Sequence, residues 1–242
     1  MRQVLPRHLG PRLRAKLQPV SAWAALLVAM RRRGRGTELW IGDSHAMSFN
    51  RDLQLSMFMR APEGQLILRV GTRIMWSLSR KGFPPRVLRV ARFVSWFGTR
   101  GALVPIFVTG EIDVRCHLAE REDQNFEFVG EYVSRCQAIA ESFKAERLVV
   151  VVPPPPCEFT PNLEAFPIVG SLEQRVRAFE ALRKAIVNEV STVPGAQVLD
   201  STDLLADENG VMKRELTDDG CHTNTTGIAL VRGRVAELGL PN

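Results

Sequence analysis

At 242 residues, with 45% apolar and 24% charged side chains, the chain has the size and composition of one globular α/β domain. Its net charge of +6 is uneven: residues 1–36 hold nine Lys and Arg and no acid, which leaves residues 37–242 near −3. A slightly acidic body without a recognisable binding module argues against nucleic acid as a partner.

The chain therefore divides into a basic N-terminal arm, 1–36, and a domain, 37–242. The arm's apolar run, Ser21–Met30, is shorter than the roughly 20 residues that span a bilayer. An export signal places positive charge before its apolar run and small residues after it; here RRRGRG (31–36) follows the run. The expectation is a helix packed on the surface of a cytoplasmic protein. A sharper reading adds peripheral contact with an anionic membrane through the basic residues. Cys116, Cys136, Cys157 and Cys221 form no C-x-x-C pair, so reduced thiols are expected.

After the arm, Glu38–Gly42 and Leu66–Val70 read as strands, and Met75–Phe97 as two short helices split by GFPP (82–85). Leu103–Thr109 is the third strand and Glu122–Ala145 a helix. Arg147–Val152 is the fourth strand, with the continuous apolar run of a strand covered on both faces. Pro153–Pro156 makes a stiff loop. Leu172, Val176, Phe179, Leu182, Ile186 and Val190 form one helical stripe. Ala196–Leu199 is the fifth strand, and Thr225–Leu238 closes the chain as a helix capped by Asn224 or Thr223. Strands alternating with helices predict an α/β fold, a three-layer α/β/α sandwich on a parallel five-stranded, flavodoxin-like sheet.

In such sheets function gathers at the carboxyl ends of the strands. Asp43, Ser44 and His45 follow the first strand, Gly71 the second and GEIDVRCH (110–117) the third. Asp219 and His222 stand three apart before the last helix. A carboxylate at that spacing can accept the proton of one ring nitrogen and leave the other basic. A serine nucleophile needs such a base, and the N–H groups of a strand-to-helix turn point at developing negative charge. The same residues permit blander readings. Ser44 can be a helix N-cap, and Asp43 and His45 can be metal ligands of a phosphoesterase, although four histidines supply few further ligands.

The G-D-S at 42–44 and the D-x-x-H at 219–222, in this order, resemble the SGNH (GDSL-type) hydrolase superfamily over roughly Glu38 to Leu238. The resemblance implies the SGNH hydrolase fold, Ser44 as nucleophile, His222 as base and Asp219 as its partner. It implies an oxyanion hole of the Ser44 and Gly71 N–H groups, and no metal or cofactor. GDSHA (42–46) is similar to the tetrad of domains that move or remove acetyl groups on glycans, which implies an acylated sugar or small ester as substrate. One block departs. The family's G-x-N-D reads Gly110-Glu111-Ile112-Asp113, and Ile112 cannot donate a hydrogen bond. That block resembles one in divergent members associated with glycan biosynthesis, which implies a non-catalytic glycan-binding or scaffold module as the second reading. An extended 110–115 segment would place Glu111, Asp113 and Arg115 on one face. With Asp43 and His45 they are assigned to substrate binding, a structural ion pair of Arg115 with Glu111 or Asp113 being the alternative. The helices that carry Trp76 and Trp96 are expected to fill the core rather than a ligand pocket.

Overall fold

The computed structural model describes residues 11–31, 36–49, 57–61, 64–97, 101–120 and 126–240. In chain order the elements are α1 (Pro11–Arg31), β1 (Thr37–Gly42), α2 (His45–Ser48), β2 (Phe58–Arg60), β3 (Leu66–Arg69), α3 (Met75–Lys81), α4 (Pro85–Phe97), β4 (Leu103–Val108), α5 (Glu111–Cys116), α6 (Glu127–Ser142), β5 (Leu148–Val151), α7 (Leu172–Ser191), β6 (Ala196–Leu199), α8 (Thr202–Leu205) and α9 (Thr225–Glu237). The strands form one sheet in the order β2-β3-β1-β4-β5-β6. All neighbours are parallel except the β2–β3 pair at the edge. From β1 the chain moves to one side of the sheet and returns to β4 on the other. The carboxyl ends of β1 and β4 therefore flank the crevice where doubly wound sheets place their ligands.

Side chains alternate across the sheet, and each face is covered. Leu39 and Ile41 of β1 belong to a core shared with Ala22 and Leu26 of α1, Leu78 of α3, Val87 of α4, Val133 of α6 and Phe179 of α7. Trp40, between them, belongs to the opposite core with Met47 of α2 and Val231 and Val235 of α9. The arm's helix thus contributes Ala22, Leu26, Ala29 and Met30 to the same core as the sheet. No helix among the described residues is long and apolar enough to cross a membrane.

The five expected strands are present and parallel, and the sheet has a sixth. β2 is three residues long and pairs antiparallel with β3, too short a segment to display a period of two. Pro105 lies inside central β4, a position that normally excludes proline. The β4–β5 ladder begins only at Ile106, so the residue without an N–H sits before that pairing starts. One further expectation is corrected: the segment after β4 is not extended, because Gly110, with φ of +119°, turns the chain into α5. The helices that carry Trp76 and Trp96 contribute Met75, Leu78, Val87, Val90 and Val94 to the core, while Trp96 itself is 78% exposed and Trp76 is partly exposed beneath the Arg80 guanidinium.

Glu38 of β1 is buried and accepts from both Arg232 terminal nitrogens, at 2.6 and 2.9 Å, and from the Trp40 indole at 2.7 Å. This pair fastens α9 to the centre of the sheet. Removing one partner leaves the other charge buried and uncompensated. Arg232→Ala is expected to lower the stability of the full chain by about 3–5 kcal/mol, read as a lower urea midpoint.

Candidate active site

Ser44 owes its position to the residue two before it. A Cβ on Gly42 would lie 2.0 Å from the Val108 carbonyl oxygen, so only glycine lets β1 approach β4 this closely. The Asp43 N–H donates to that same oxygen at 3.3 Å. Ser44 then takes helical angles (φ −67°, ψ −24°) ahead of α2, and its side chain caps nothing. The hydroxyl instead meets His222 Nε2 at 2.8 Å. This distance separates the capping reading from one in which a hydroxyl faces a base.

His222 is held from behind. Its Nδ1 lies 2.7 Å from Asp219 Oδ2, while Asp219 Oδ1 accepts the N–H groups of Cys221 at 2.9 Å and His222 at 2.7 Å. An ionised carboxylate only accepts, so the Nδ1 proton points at Asp219 and Nε2 is left to accept from Ser44. Burial alone would raise the Asp219 pKa. The His222 ring and the N–H groups of His222 and Cys221 outweigh it and hold the carboxyl well below its usual range. The loop is closed by the Thr217–Thr223 bridge, and Gly220 makes its turn at φ +74°, packed so tightly that a Cβ would stand 2.8 Å from the Phe159 carbonyl oxygen. Asn224 caps α9 through the N–H groups of Thr226 and Gly227.

Gly71 follows β3, and the Val70 N–H before it donates to the Gly42 carbonyl at 2.7 Å. Among the described residues no protein group accepts the N–H of Ser44 or of Gly71. Beside Gly71 opens a cavity of about 560 Å³, whose walls include Arg73, Ile74, Arg86, Ile112 and Phe166.

No family model matches this sequence, and no curated protein matches it. Solved structures do resemble it. A carbohydrate esterase of family 3 from Talaromyces cellulolyticus superposes with a TM-score of 0.50 at 16% identity, over 84% of this chain and 95% of that one. A GDSL-like lipase from Bacteroides thetaiotaomicron gives 0.50 at 14% identity, over 90% and 95%. A mutant acetyl esterase, solved with acetate ion, gives 0.50 at 14% identity, over 84% and 95%. The chain has the SGNH hydrolase fold. At these identities the SGNH likeness is one of fold, and the chemistry rests on the residues present.

On that SGNH scaffold, helical geometry separates residues expected to share one face. Glu111 and Arg115 are one turn apart on α5 and pair through Oε1 and Nε at 2.6 Å. Asp113 lies elsewhere on the helix and accepts the N–H groups of Met75 at 2.7 Å and Trp76 at 3.1 Å, at the start of α3. Asp43 is equally buried and accepts the His45 N–H at 2.8 Å. Asp43 and Asp113 are both 1% exposed: Asp113 serves backbone donors with both oxygens and Asp43 with Oδ1, whereas Asp43 Oδ2 has no hydrogen-bond partner among the described residues. His45 is buried too, with Nε2 3.7 Å from Glu111 and its ring 4.9 Å from that of His222. Burial would lower its pKa, but hydrogen bonding with the Cys221 sulfur and Glu111, together with the Asp43 charge, favours the protonated ring and holds it well above the ordinary value. Arg115 covers the Phe166 ring at 5.8 Å. These residues form the floor under the Ser44–His222 pair. Arg73 and Arg86, beside Gly71, carry no local signal in the sequence, because only the fold brings the end of β3 and the start of α4 together.

One group of metal-capable side chains occurs among the described residues: His45, Cys221 and His222, with ligand atoms within 4.8 Å of one another. Asp43 is not part of it, and both His222 nitrogens already face Asp219 and Ser44. This set does not fit a phosphoesterase centre built on Asp43 and His45.

Burial would raise the Glu111 pKa, but His45 and then Arg115 pull it from 4.5 to about 2. A depressed carboxylate stabilises the fold above its unfolded pKa and loses that contribution as pH falls through the folded one. Glu111→Gln is expected to lower the urea midpoint at pH 7, and the gap to wild type should close between about pH 4.5 and pH 2.

Proposed function

We propose that the chain is a serine-dependent ester hydrolase or acyl transferase of SGNH type, acting on O-acyl groups of a sugar or small ester. The observation that carries this reading is the continuous Ser44–His222–Asp219 chain, with links of 2.8 and 2.7 Å between residues 178 and three positions apart. Ser44 Oγ attacks the ester carbonyl as its proton passes to His222 Nε2. The resulting oxyanion is placed to accept from the open N–H groups of Ser44 and Gly71. Collapse expels the alcohol, which takes the proton back from His222 and leaves an acyl group on Ser44. Water, or the hydroxyl of a second sugar, then gives its proton to His222 and attacks the acyl carbon; the intermediate collapses to the free acid or the new ester as Ser44 Oγ leaves and takes the proton back from His222. Asp219 keeps the ring in the required tautomer throughout.

The decisive experiment is labelling with a fluorophosphonate. Wild type should be labelled at Ser44, and Ser44→Ala should not; absence of labelling in wild type would overturn the reading. Asp219→Asn, which forces the wrong tautomer, should reduce turnover of 4-nitrophenyl acetate about 10³–10⁴-fold without unfolding the protein.

Ile112 favours the second reading, a glycan-binding module. It presents an apolar side chain to the Gly71 cavity where the resembled family has an amide donor. A lost oxyanion donor costs on the order of 10²–10³ in turnover. Wild type should therefore be a slow esterase, and Ile112→Asn should raise kcat by about tenfold or more. Binding of an acetylated oligosaccharide by wild type with no turnover in either protein would select the module.

A further inference from the structure

The cavity beside Gly71 is lined on one side by Arg73 and Arg86. Arg69, at the end of β3, and Arg89, one turn beyond Arg86 on α4, do not line the cavity but lie near enough for their charges to act on Arg86. None of the four takes part in an ion pair among the described residues. Arg86 donates through one terminal nitrogen to the Val70 carbonyl at 2.8 Å, and its Nε is buried without a hydrogen-bond partner, as is that of Arg69. Besides burial, the charges acting on Arg86 are those of Arg73, Arg69 and Arg89, all of its own sign. Arginines that pair with no acid among the described residues repel one another, and a cleft lined by one sign of charge concentrates counter-ions of the other. A planar guanidinium with free donors suits a carboxylate or a phosphate. Of the other walls, Ile74, Ile112 and Phe166 supply apolar packing, and Thr72, Ser77 and His117 are polar.

We propose that this cleft is an oxyanion subsite, and that the ester cleaved at Ser44 carries a carboxylate or phosphate group on its alcohol portion. An acetyl group is uncharged, so the anion belongs to the part that departs. The identity of the substrate rests on the esterase reading above, whereas binding of an anion in the cleft does not.

The two are tested separately. Ser44→Ala, which cannot turn over an ester, is titrated calorimetrically with 4-acetoxybenzoate and with inorganic phosphate. Saturable binding of at least one is expected. Adding Arg73→Ala, an exposed position that leaves the Arg86 hydrogen bond intact, should weaken it about 10- to 100-fold. On the Ser44 protein, kcat/KM for 4-acetoxybenzoate should exceed that for its uncharged methyl ester. Arg73→Ala should erase most of that preference, while Lys184→Ala, removing an equal charge on α7, should not. Failure of both anions to saturate, or binding unchanged by Arg73→Ala, overturns the subsite. Anion binding that depends on Arg73 in a protein that cleaves neither ester sustains the subsite and overturns the hydrolase.

Discussion

The upper edge of the sheet is registered by a single residue without a side chain. Gly42 lies so close to β4 that a Cβ would overlap the Val108 carbonyl, while its own carbonyl accepts the Val70 N–H from β3. One peptide therefore sets the heights of three strand ends. β1 delivers Ser44, β3 delivers Gly71, and β4 delivers Gly110 and the start of α5. A methyl group at residue 42 would separate β1 from β4 and misplace the Ser44 hydroxyl, whose partner arrives from the far end of the chain. Close packing makes interiors intolerant of even one added carbon, and here that intolerance fixes a spacing on which a 2.8 Å contact depends.

Beneath this edge lies a layer of buried ionisable groups whose charges offset one another. Glu111 stands between His45 and Arg115, and those two cations overcome the burial that would otherwise keep it neutral. Asp113 pairs with no cation among the described residues. Burial, with the nearby Asp43 charge, raises its pKa to about 7 although the Trp76 and Met75 N–H groups act in the opposite direction. The contrast follows from what each carboxylate faces: a cation compensates desolvation far better than neutral N–H groups do. The consequence for the site is mechanical. Glu111 and Arg115 lock α5, Glu111 reaches His45, and the His45 ring lies against that of His222. Charges that resemble a binding surface in the sequence are the support for the groups above them.

Much of this was legible in the sequence because it is written locally. Uninterrupted apolar runs mark strands covered on both faces, so the parallel strands could be placed. GFPP divided α3 from α4, and Asn224 marked the start of α9. Asp219 and His222 were legible because their contact is made within one turn. What the sequence concealed depends on tertiary partners. β2 is three residues long and exists by pairing with β3. The segment from Glu111 to Cys116 looked extended because acids and apolar residues alternate, yet the same residues satisfy an acidic first turn and an i,i+4 ion pair once Gly110 has turned the chain. Asp113 is assigned to substrate or to Arg115 in the sequence because nothing in its neighbourhood announces the start of α3, 38 positions earlier. The arginine cluster was invisible for a similar reason: two members lie by β3 and two on α4, brought together only by the fold.

The apolar Ile112 and the cationic cleft share one set of walls, and together they describe a division of labour. On the proposed esterase reading, an oxyanion hole of two backbone N–H groups and no amide stabilises a small neutral ester incompletely, and such substrates should react slowly. An ester anchored by an anionic group at Arg73 and Arg86 meets the same two donors with its carbonyl already placed. Binding energy from a part of the substrate that does not react then lowers the barrier by reducing the cost of orientation. A site built as proposed should discriminate by kcat as well as by KM: removing the anion from the substrate should slow chemistry at Ser44 even at saturation. Restoring an amide at residue 112 should help the neutral ester more than the anchored one, because the anchored ester's carbonyl is already held in place.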